Sequence, residues 1–202
     1  ASDVTIVEAG PPATIQPPHI MRHPLKPGWA LADAEVARAV DAASRTVSGV
    51  RVRAGECDVA TEGQAYAFIA APALRDILRG RARALGCGFA ASATDADLAR
   101  ADLVIIADGA QSALRAQGDA FTTTITPSKT RHAFFDVELA SDKLEFWFRR
   151  MPWGIVHAML APSGASSTLF VETTQAVVSA AGLAEADTAD VAHLCDEMFA
   201  GE

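Results

Sequence analysis

The sequence lacks the cysteine and histidine patterns that mark disulfide-stabilised and metal-binding proteins. Its three cysteines, Cys57, Cys87 and Cys195, are odd in number, far apart and never in a C-x-x-C pair. This pattern argues against a disulfide framework and a zinc site, and it favours a reducing, cytoplasmic environment. The five histidines form no H-E-x-x-H motif, so we predict no metal ligands.

Positive charge and long apolar runs are also scarce. Lysine and arginine number 17 against 25 acids, and the net charge of −8 repels nucleic acid phosphates. The longest apolar run, residues 65–74, is broken by Tyr66 and Pro72 and is far shorter than the roughly 20 residues that span a bilayer. We therefore expect neither nucleic acid nor membrane as a partner. Hydrophobic residues make up 50% of the 202 positions, enough for one substantial core or two small ones.

The stretch DVTIVEAGPP near the start predicts a short strand, residues 3–8, that ends in an acid and is closed by glycine and two prolines. In a dinucleotide-binding βαβ unit, an acid at the end of the second strand binds a ribose hydroxyl, about 20 residues after a glycine-rich loop. Glu8 is therefore a candidate ribose ligand. Only Ala1 and Ser2 precede the strand, so the glycine loop of such a unit is not in this sequence.

A second informative stretch is ADLVIIADGAQSALRAQ, residues 101–117. The apolar run Leu103–Ala107 predicts a strand buried on both faces, as in a parallel sheet. It is followed by Asp108 and Gly109 and by a predicted short helix that carries Ser112 and Arg115. Ligands of open α/β sheets bind at the carboxyl ends of strands, which makes this segment a candidate ligand site. An Asp-Gly pair after a strand is also an ordinary turn.

The remaining pattern changes character along the chain. Up to about residue 119, strands and helices alternate. The predicted elements are a proline-rich irregular connection (10–28), helices at 30–43 and 72–85, and strands at 50–52, 57–60, 65–69 and 87–90. Beyond about residue 120 the period becomes two, which predicts antiparallel strands at 143–150, 155–160 and 167–171, followed by helices at 174–181 and 188–200. We predict two parts, an α/β part over 1–119 and an antiparallel sheet with C-terminal helices over 120–202.

In this order the pieces resemble an FAD-dependent aromatic monooxygenase of the hydroxybenzoate hydroxylase fold. The stretch FWFRRMPWGIVHAMLAPSGASSTLFVETTQAVVSAAGL is similar to the branch that hydroxylates aryl-CoA thioesters such as salicylyl-CoA or aminobenzoyl-CoA. The resemblance covers nearly the whole chain. It implies an α/β (α+β) fold, with an incomplete Rossmann-like FAD-binding part over 1–119 and an antiparallel-sheet substrate part over 120–202.

The resemblance also implies roles for particular residues. Glu8 would hold the ribose of FAD, and Asp108 and Gly109 would contact the flavin side and serve pyridine nucleotide use, with Arg115 retained beside them. NAD(P)H would reduce FAD, which then activates oxygen for transfer to the ring, while the protein supplies positioning and water exclusion. The resemblance implies no side-chain nucleophile, and so no catalytic residue in that sense.

The antiparallel part is expected to form the wall of a cavity for a small aromatic or aryl-CoA substrate. Phe146, Phe148 and His157, with Trp147, are the candidate lining residues. Aromatic residues of strands are often core residues, and His157 alternates with apolar neighbours, so a purely structural role stays open for each. Arg149 and Arg150 can meet a carboxylate or CoA phosphate, or simply form a charged strand face.

The resemblance further implies features that this sequence does not contain. A glycine-rich loop would precede Ala1 and a Gly-Asp motif would follow Glu202, so we expect a central fragment or a shortened member. Ala70–Ala73 and Gln111 stand where the family commonly has arginines. Each lost hydrogen bond from a charged donor to phosphate is worth about 1.5–3 kcal/mol. Weak FAD binding by this chain alone is therefore expected.

Two alternatives stay open. The first is a degenerate homologue that has lost FAD and acts as a binding or interaction module, docked on a partner subunit or on another copy. The second, a nicotinamide-dependent Rossmann dehydrogenase, shares the acid after a strand but does not explain the antiparallel half. The strand edge that the absent glycine-loop strand would pair with also predicts association with another strand.

Overall fold

The computed structural model describes residues 3–8, 17–23, 31–109, 112–117, 124–163 and 166–199. The strands are β1 (Thr5–Val7), β2 (His19–His23), β3 (Arg45–Ala54), β4 (Cys57–Ile69), β5 (Gly88–Ala90), β6 (Thr130–Val137), β7 (Leu144–Met151), β8 (Gly154–Ser163) and β9 (Ser166–Thr174). The helices are α1 (Ala34–Ala43), α2 (Ala71–Ala84), α3 (Asp95–Arg100), α4 (Ala113–Gln117), α5 (Gln175–Ala180) and α6 (Thr188–Phe199). The fold class is α+β, as predicted.

The chain divides into two compact units. The small unit comprises Ala1–Pro11 and Leu85–Ser128, and the large unit comprises Pro12–Ala84 and Lys129–Glu202. The large unit is built on a seven-stranded sheet in the order β2-β4-β3-β7-β8-β9-β6. Neighbouring strands are antiparallel except β3 and β7, which are parallel. The sheet curls, because β4 contacts β8 although two strands separate them in the sheet order.

The period-two pattern of β7 gives the sheet two different faces. Trp147 lies opposite Ala158 on β8, which in turn lies opposite Val171 on β9, and all three are buried. We call this the helix face, because Cys195 and Phe199 of α6 complete its core. The rings of Trp147 and Phe199 have centroids 5.5 Å apart. The sequence predicts a core-facing stripe on this helix, formed by Val191, Leu194, Cys195, Met198 and Phe199. The burial of Cys195 and Phe199 confirms that this side faces the core.

Burial decides the chemistry of the cysteine in that core. Cys195 is 5% exposed, and the loss of solvation raises the pKa of its thiol to about 11. The thiol is therefore protonated at neutral pH and packs as a small apolar side chain rather than acting as a nucleophile. Among the residues described, no three His, Cys, Asp or Glu side chains come together as a metal site requires. No helix in the described ranges is long and apolar enough to cross a membrane.

Gly49 permits the bend between two segments of the long β3–β4 hairpin. The register shifts between Ser48 and Val50, which is a β-bulge, and Gly49 has φ +89. A Cβ there would collide with the backbone carbonyl oxygen of Thr61. Replacement of Gly49 by alanine is expected to lower the free energy of unfolding by about 2–3 kcal/mol, since strain and collision combine.

Denaturant unfolding followed by tryptophan fluorescence measures that loss. Gly55→Ala is the matched control, because Gly55 also has positive φ (+61) but open space around it, and we expect a loss of only about 1 kcal/mol there. Equal losses at the two positions would contradict the packing role of Gly49.

The described residues of the small unit expose apolar side chains and do not form a buried core. β1 and β5 form a parallel two-stranded sheet in which Ile6 pairs with Phe89, and β1 confirms the strand predicted before Glu8. The prediction of a buried strand over Leu103–Ala107 is wrong. The run forms no strand, and Leu103 and Ile105 are 77% and 81% exposed. A strand of a parallel sheet needs partners at its edges, and the β1–β5 pair does not extend to this run.

We expect this surface to bind a hydrophobic dye. None of the described residues of the small unit belongs to the buried hydrophobic core. An ordinary domain, in contrast, buries most of its large apolar side chains and exposes no large apolar patch. The double variant Leu103→Ser/Ile105→Ser should reduce the fluorescence of anilinonaphthalene sulfonate bound to the native chain. The control Leu31→Ser removes an equally exposed apolar residue (87% exposed) of the large unit, and an equal reduction by that control would contradict the prediction.

Several other predicted elements also differ from the structure. Residues 19–23, within the segment predicted to be irregular, form β2 and pair antiparallel with β4. The predicted strands at 57–60 and 65–69 are one continuous strand, β4. β3 and β4, assigned by sequence to the first part, join the sheet of the second part through the β3–β7 pairing. The compact units therefore do not divide at residue 120. Such pairing between distant segments has no local sequence signal.

Candidate functional site

The candidate site is the sheet face opposite Trp147, which we call the aromatic face and define by Phe146, Phe148 and His157. His157 lies directly opposite Phe148 on the neighbouring strand. Its ring stacks on that of Phe148 with centroids 4.8 Å apart, and on that of Phe146 with centroids 5.7 Å apart. The structure thus brings the three predicted substrate residues together in one stack of rings.

The aromatic face is attached to the core at one end and open at the other. Phe146 and Met159 pack against a buried cluster that includes Leu144 and Phe68. At the other end, Phe148 remains 38% exposed and Ile155 53% exposed. An exposed aromatic ring held by a rigid strand is suited to stacking on a planar ligand.

Register places a second set of rings on the same face. Phe146 lies opposite Met159, which lies opposite Phe170, which lies opposite Phe134. The rings of Phe134 and Phe170 are 5.0 Å apart. These residues form an apolar row that crosses four strands of the large unit's sheet.

A polar row runs beside the apolar one. Phe148 lies opposite His157, His157 opposite Glu172, and Glu172 opposite His132. Directly opposed side chains of antiparallel strands have Cβ atoms about 4.5–5.5 Å apart, so Glu172 has His157 and His132 as its neighbours across the strands. The ring of His132 packs on Phe134 and Phe170, with centroids 5.4 and 5.7 Å away. Sequence analysis missed Glu172 and His132. Their signal is the alternation Phe170-x-Glu172 and His132-x-Phe134, which gains meaning only once the register is known.

His157 is held mainly in its neutral form. Partial burial lowers the pKa of His157 below its ordinary value of 6.5, and the nearby charge of Glu172 opposes that shift. As pH falls, a group whose pKa is lower in the folded state takes up its proton at a lower pH than the same group does in the unfolded chain. The contribution of His157 to stability is therefore full above pH 6.5 and declines as pH falls from 6.5 to the lower folded-state pKa.

We expect Glu172→Gln to lower the pKa of His157 further, because the substitution removes the charge that opposes the burial effect. A histidine NMR titration of the native chain and the variant measures both values. A pKa of His157 that rises on this substitution, or that does not move, would contradict the proximity given by the register.

Two of the other candidates serve the opposite face. Trp147 is 2% exposed, and its Nε1 donates a hydrogen bond to Glu145 Oε2 at 3.1 Å. It is therefore a core residue and not part of a substrate wall. Arg149 donates from Nε to the carbonyl oxygen of Met198 at 3.2 Å, which fastens the end of α6 to the sheet. Arg150 lies opposite Ile155 and is exposed.

The four predicted cofactor residues all lie in the small unit. Glu8 follows β1, and its N–H donates to the carbonyl oxygen of Ala90 at 3.0 Å. Gly109 adopts φ +91, and Arg115 Nη2 donates to its carbonyl oxygen at 3.1 Å. The hydroxyl of Ser112, a buried side chain, accepts from the N–H of Arg115 at 3.0 Å. The structure thus joins Gly109, Ser112 and Arg115, while a different strand positions Glu8. Gln111 lies outside the described residues.

The backbone around Asp108 and Gly109 suits a bound dinucleotide. A Cβ added at Gly109 would meet no atom within 4 Å, so this turn leaves its backbone accessible. A carboxylate after a strand, an open glycine turn and an arginine are donors and acceptors that ribose and phosphate groups use. The residues present therefore fit FAD in chemical type.

The large unit also has a cavity of about 480 Å³ beside Glu145, on the helix face. Its lining includes the charged residues Arg51, Arg53 and Glu145 beside apolar ones such as Leu139 and Leu160. Arg51 makes a bidentate ion pair with Asp58, and Arg53 lies 3.6 Å from Asp58 and 3.8 Å from Glu145. This pairing gives the cavity a structural explanation, and the aromatic face remains the better candidate for a ligand.

No protein-family model matches the sequence, and none of the curated proteins matches it significantly. Among solved structures, the chain is similar to PqsL, a probable FAD-dependent monooxygenase from Pseudomonas aeruginosa, with a TM-score of 0.67 and 13% sequence identity. The likeness covers 98% of this chain and 61% of that chain, so this chain spans about three fifths of the length of PqsL. At this identity the comparison establishes the fold alone: the chain shares the α+β fold of PqsL over 98% of its length.

Proposed function

We propose that this chain is a fragment or shortened member of an FAD- and NAD(P)H-dependent monooxygenase that hydroxylates an aromatic substrate, including aryl-CoA thioesters. The observation that carries the proposal is the stack of Phe146, His157 and Phe148 on the open face of the sheet. This stack occurs in a chain whose fold is similar, over 98% of its length, to that of PqsL, a probable FAD-dependent monooxygenase. A planar ring is the ligand that a stack of rings accommodates best.

The reaction consumes NAD(P)H, a proton, oxygen and the arene, and yields NAD(P)⁺, water and the hydroxylated arene. Bound FAD supplies the redox chemistry, carrying electrons from NAD(P)H to oxygen. Glu8 would hold the ribose of FAD, and Asp108, Gly109 and Arg115 would contact its flavin and phosphate side. Phe146, Phe148 and His157 would orient the ring by stacking and exclude water from its face.

Product analysis tests the proposal. The chain would be incubated with FAD, NADH or NADPH, and a panel of free arenes and aryl-CoA thioesters under ¹⁸O₂. Because weak FAD binding is expected of this chain alone, turnover should be slow and should require a high concentration of FAD. Under those conditions we expect NAD(P)H oxidation that depends on the arene, and a product with one labelled oxygen atom. Binding of FAD without oxidation that depends on the arene, or a product without the label, would contradict a monooxygenase function.

A second candidate function is an interaction module that has lost FAD and docks on a partner subunit or on another copy. The exposed apolar residues of the small unit, such as Leu103 and Ile105, favour it, as does Ala70–Ala73 where an arginine would face phosphate. A module of this kind would show no binding of FAD at any concentration and would associate through the small unit. Equilibrium ultracentrifugation, with and without FAD, separates the two functions.

A further inference from the structure

Two neighbouring rows of different chemistry cross the aromatic face. The apolar row contains Phe146, Met159, Phe170 and Phe134, and the polar row contains Phe148, His157, Glu172 and His132. A ring that lies flat on this face therefore meets apolar groups on one side and the carboxylate of Glu172, next to His157, on the other. That arrangement distinguishes the substituents of a ring as well as the ring itself.

We propose that Glu172, with His157 and His132 on either side, is the specificity-determining residue of the aromatic face, and that it selects rings carrying a hydroxyl or amino group. This inference rests on the proposed function, because it assigns the binding of the ring to the aromatic face. It goes further in naming the ring substituent that is recognised and the residue that recognises it.

Hydrogen-bonding capacity explains the selection. An ionised carboxylate only accepts hydrogen bonds, so Glu172 pairs with a hydroxyl or amino group and repels a ring carboxylate. Within the described part of the chain, Glu172 acts on His157 through its charge, and no hydrogen bond joins the two. Its oxygen atoms are therefore not committed to that imidazole, and a donor on the ligand can hydrogen-bond to them.

The other groups around Glu172 and His157 strengthen this preference. His157 is largely neutral because of its burial, so it adds little positive charge that would attract an anion. His132 is exposed and lies on the far side of Glu172. Arg150, the remaining charged side chain on this face near His157, lies beyond Phe148 on β7 and opposite Ile155. Glu172 is thus the charge adjacent to His157 in the polar row.

The test uses three probes of matched size: phenol, anisole and benzoate. Phenol has the hydroxyl donor, anisole has the same ring with that donor methylated, and benzoate is an anion. Dissociation constants from NMR titrations of the native chain should favour phenol over anisole by about tenfold, as expected for a hydrogen bond to a charged group. Benzoate should bind more weakly than anisole.

Two variants and a control identify the residue responsible. Glu172→Leu should reduce the ratio of phenol to anisole affinity to about one, and Glu172→Gln, which keeps an acceptor without the charge, should leave it between the two values. Both variants should bind benzoate better than the native chain does. Asp136→Asn removes a charge from the same face, opposite Thr168 and four residues along β6 from His132, and should leave the ratio unchanged.

The outcomes separate this inference from the function it rests on. If phenol and anisole bind the native chain with equal affinity, or if the ratio survives Glu172→Leu, the selectivity is not due to Glu172, and the aromatic site still stands. If neither ring binds the native chain, both the inference and the aromatic site are overturned. A change of the ratio without a change of thermal stability excludes a merely structural role for Glu172.

Discussion

Replacing Glu145 with alanine is expected to lower the free energy of unfolding by about 3–5 kcal/mol, since the substitution leaves buried donors without their acceptor. The carboxylate is 8% exposed. Its Oε1 accepts from the hydroxyl of Ser141 at 2.5 Å, and its Oε2 accepts from Trp147 Nε1 at 3.1 Å. Arg53 Nη2 lies 3.8 Å from the same oxygen. Alanine would therefore leave an indole N–H and a nearby guanidinium without this carboxylate.

Denaturant unfolding measures the loss, and Glu62→Ala is its control. Glu62 pairs with Lys143 at 2.5 Å but is 69% exposed, and exposed ion pairs contribute little. We expect a far smaller change at Glu62 than at Glu145. Equal changes would show that burial does not decide the contribution of these two carboxylates.

The Glu145 network matters for the site because it is on the same strand as two of the site's rings. Glu145 and Trp147 point to the helix face, and Phe146 and Phe148 point to the aromatic face. Fixing the side chains of one face therefore fixes the strand that presents the rings on the other. Loss of Glu145 should weaken binding of a ring through disorder of β7, without contact between Glu145 and the ligand.

The double variant Phe148→Ala/His157→Ala is expected to weaken the binding of an aromatic ring by about 30- to 150-fold. Each stacked pair of rings is worth about 0.5–1.5 kcal/mol beyond the area it buries, and the two rings together contribute about 2–3 kcal/mol. Phe148 is 38% exposed, so its removal costs less stability than the removal of a core ring. Binding of the ring should thus fall much more than stability does.

Titration of the native chain and the variant with phenol measures the effect. Leu139→Ala is the matched control, because Leu139 is also 38% exposed but does not belong to the row of stacked rings. We expect the control to bind phenol as the native chain does. Similar losses of binding in the control and in the double variant would place the ring elsewhere on the molecule.

Local patterns predicted much of the large unit. The alternation of Leu144, Phe146 and Phe148 with polar or indole side chains indicated the strand β7, and the structure confirms it. It did not indicate which face is buried more deeply, since Glu145 and Trp147 are 8% and 2% exposed while Phe148 is 38% exposed. The stripe of Cys195 and Phe199 indicated which side of the last helix is buried. Both signals arise from side-chain periodicity within one element, which the sequence displays directly.

Contacts between distant segments were beyond the reach of the sequence. The parallel pairing of β3 with β7 moved residues 45–69 into the same sheet as the rings. Leu103–Ala107 has the composition of a buried strand but forms no strand. The prediction failed because composition does not reveal whether a neighbouring strand is available for pairing. Glu172 and His132 became candidates only when the register set them beside His157.

The most direct test of the proposed monooxygenase function is the visible absorption spectrum of FAD titrated with the purified chain, before and after addition of an aryl-CoA thioester. We predict a flavin band that shifts when the chain binds FAD, and a second change of the spectrum when the thioester is added. A spectrum that stays that of free FAD at every protein concentration would contradict the proposal, and the chain would then be better explained as an interaction module.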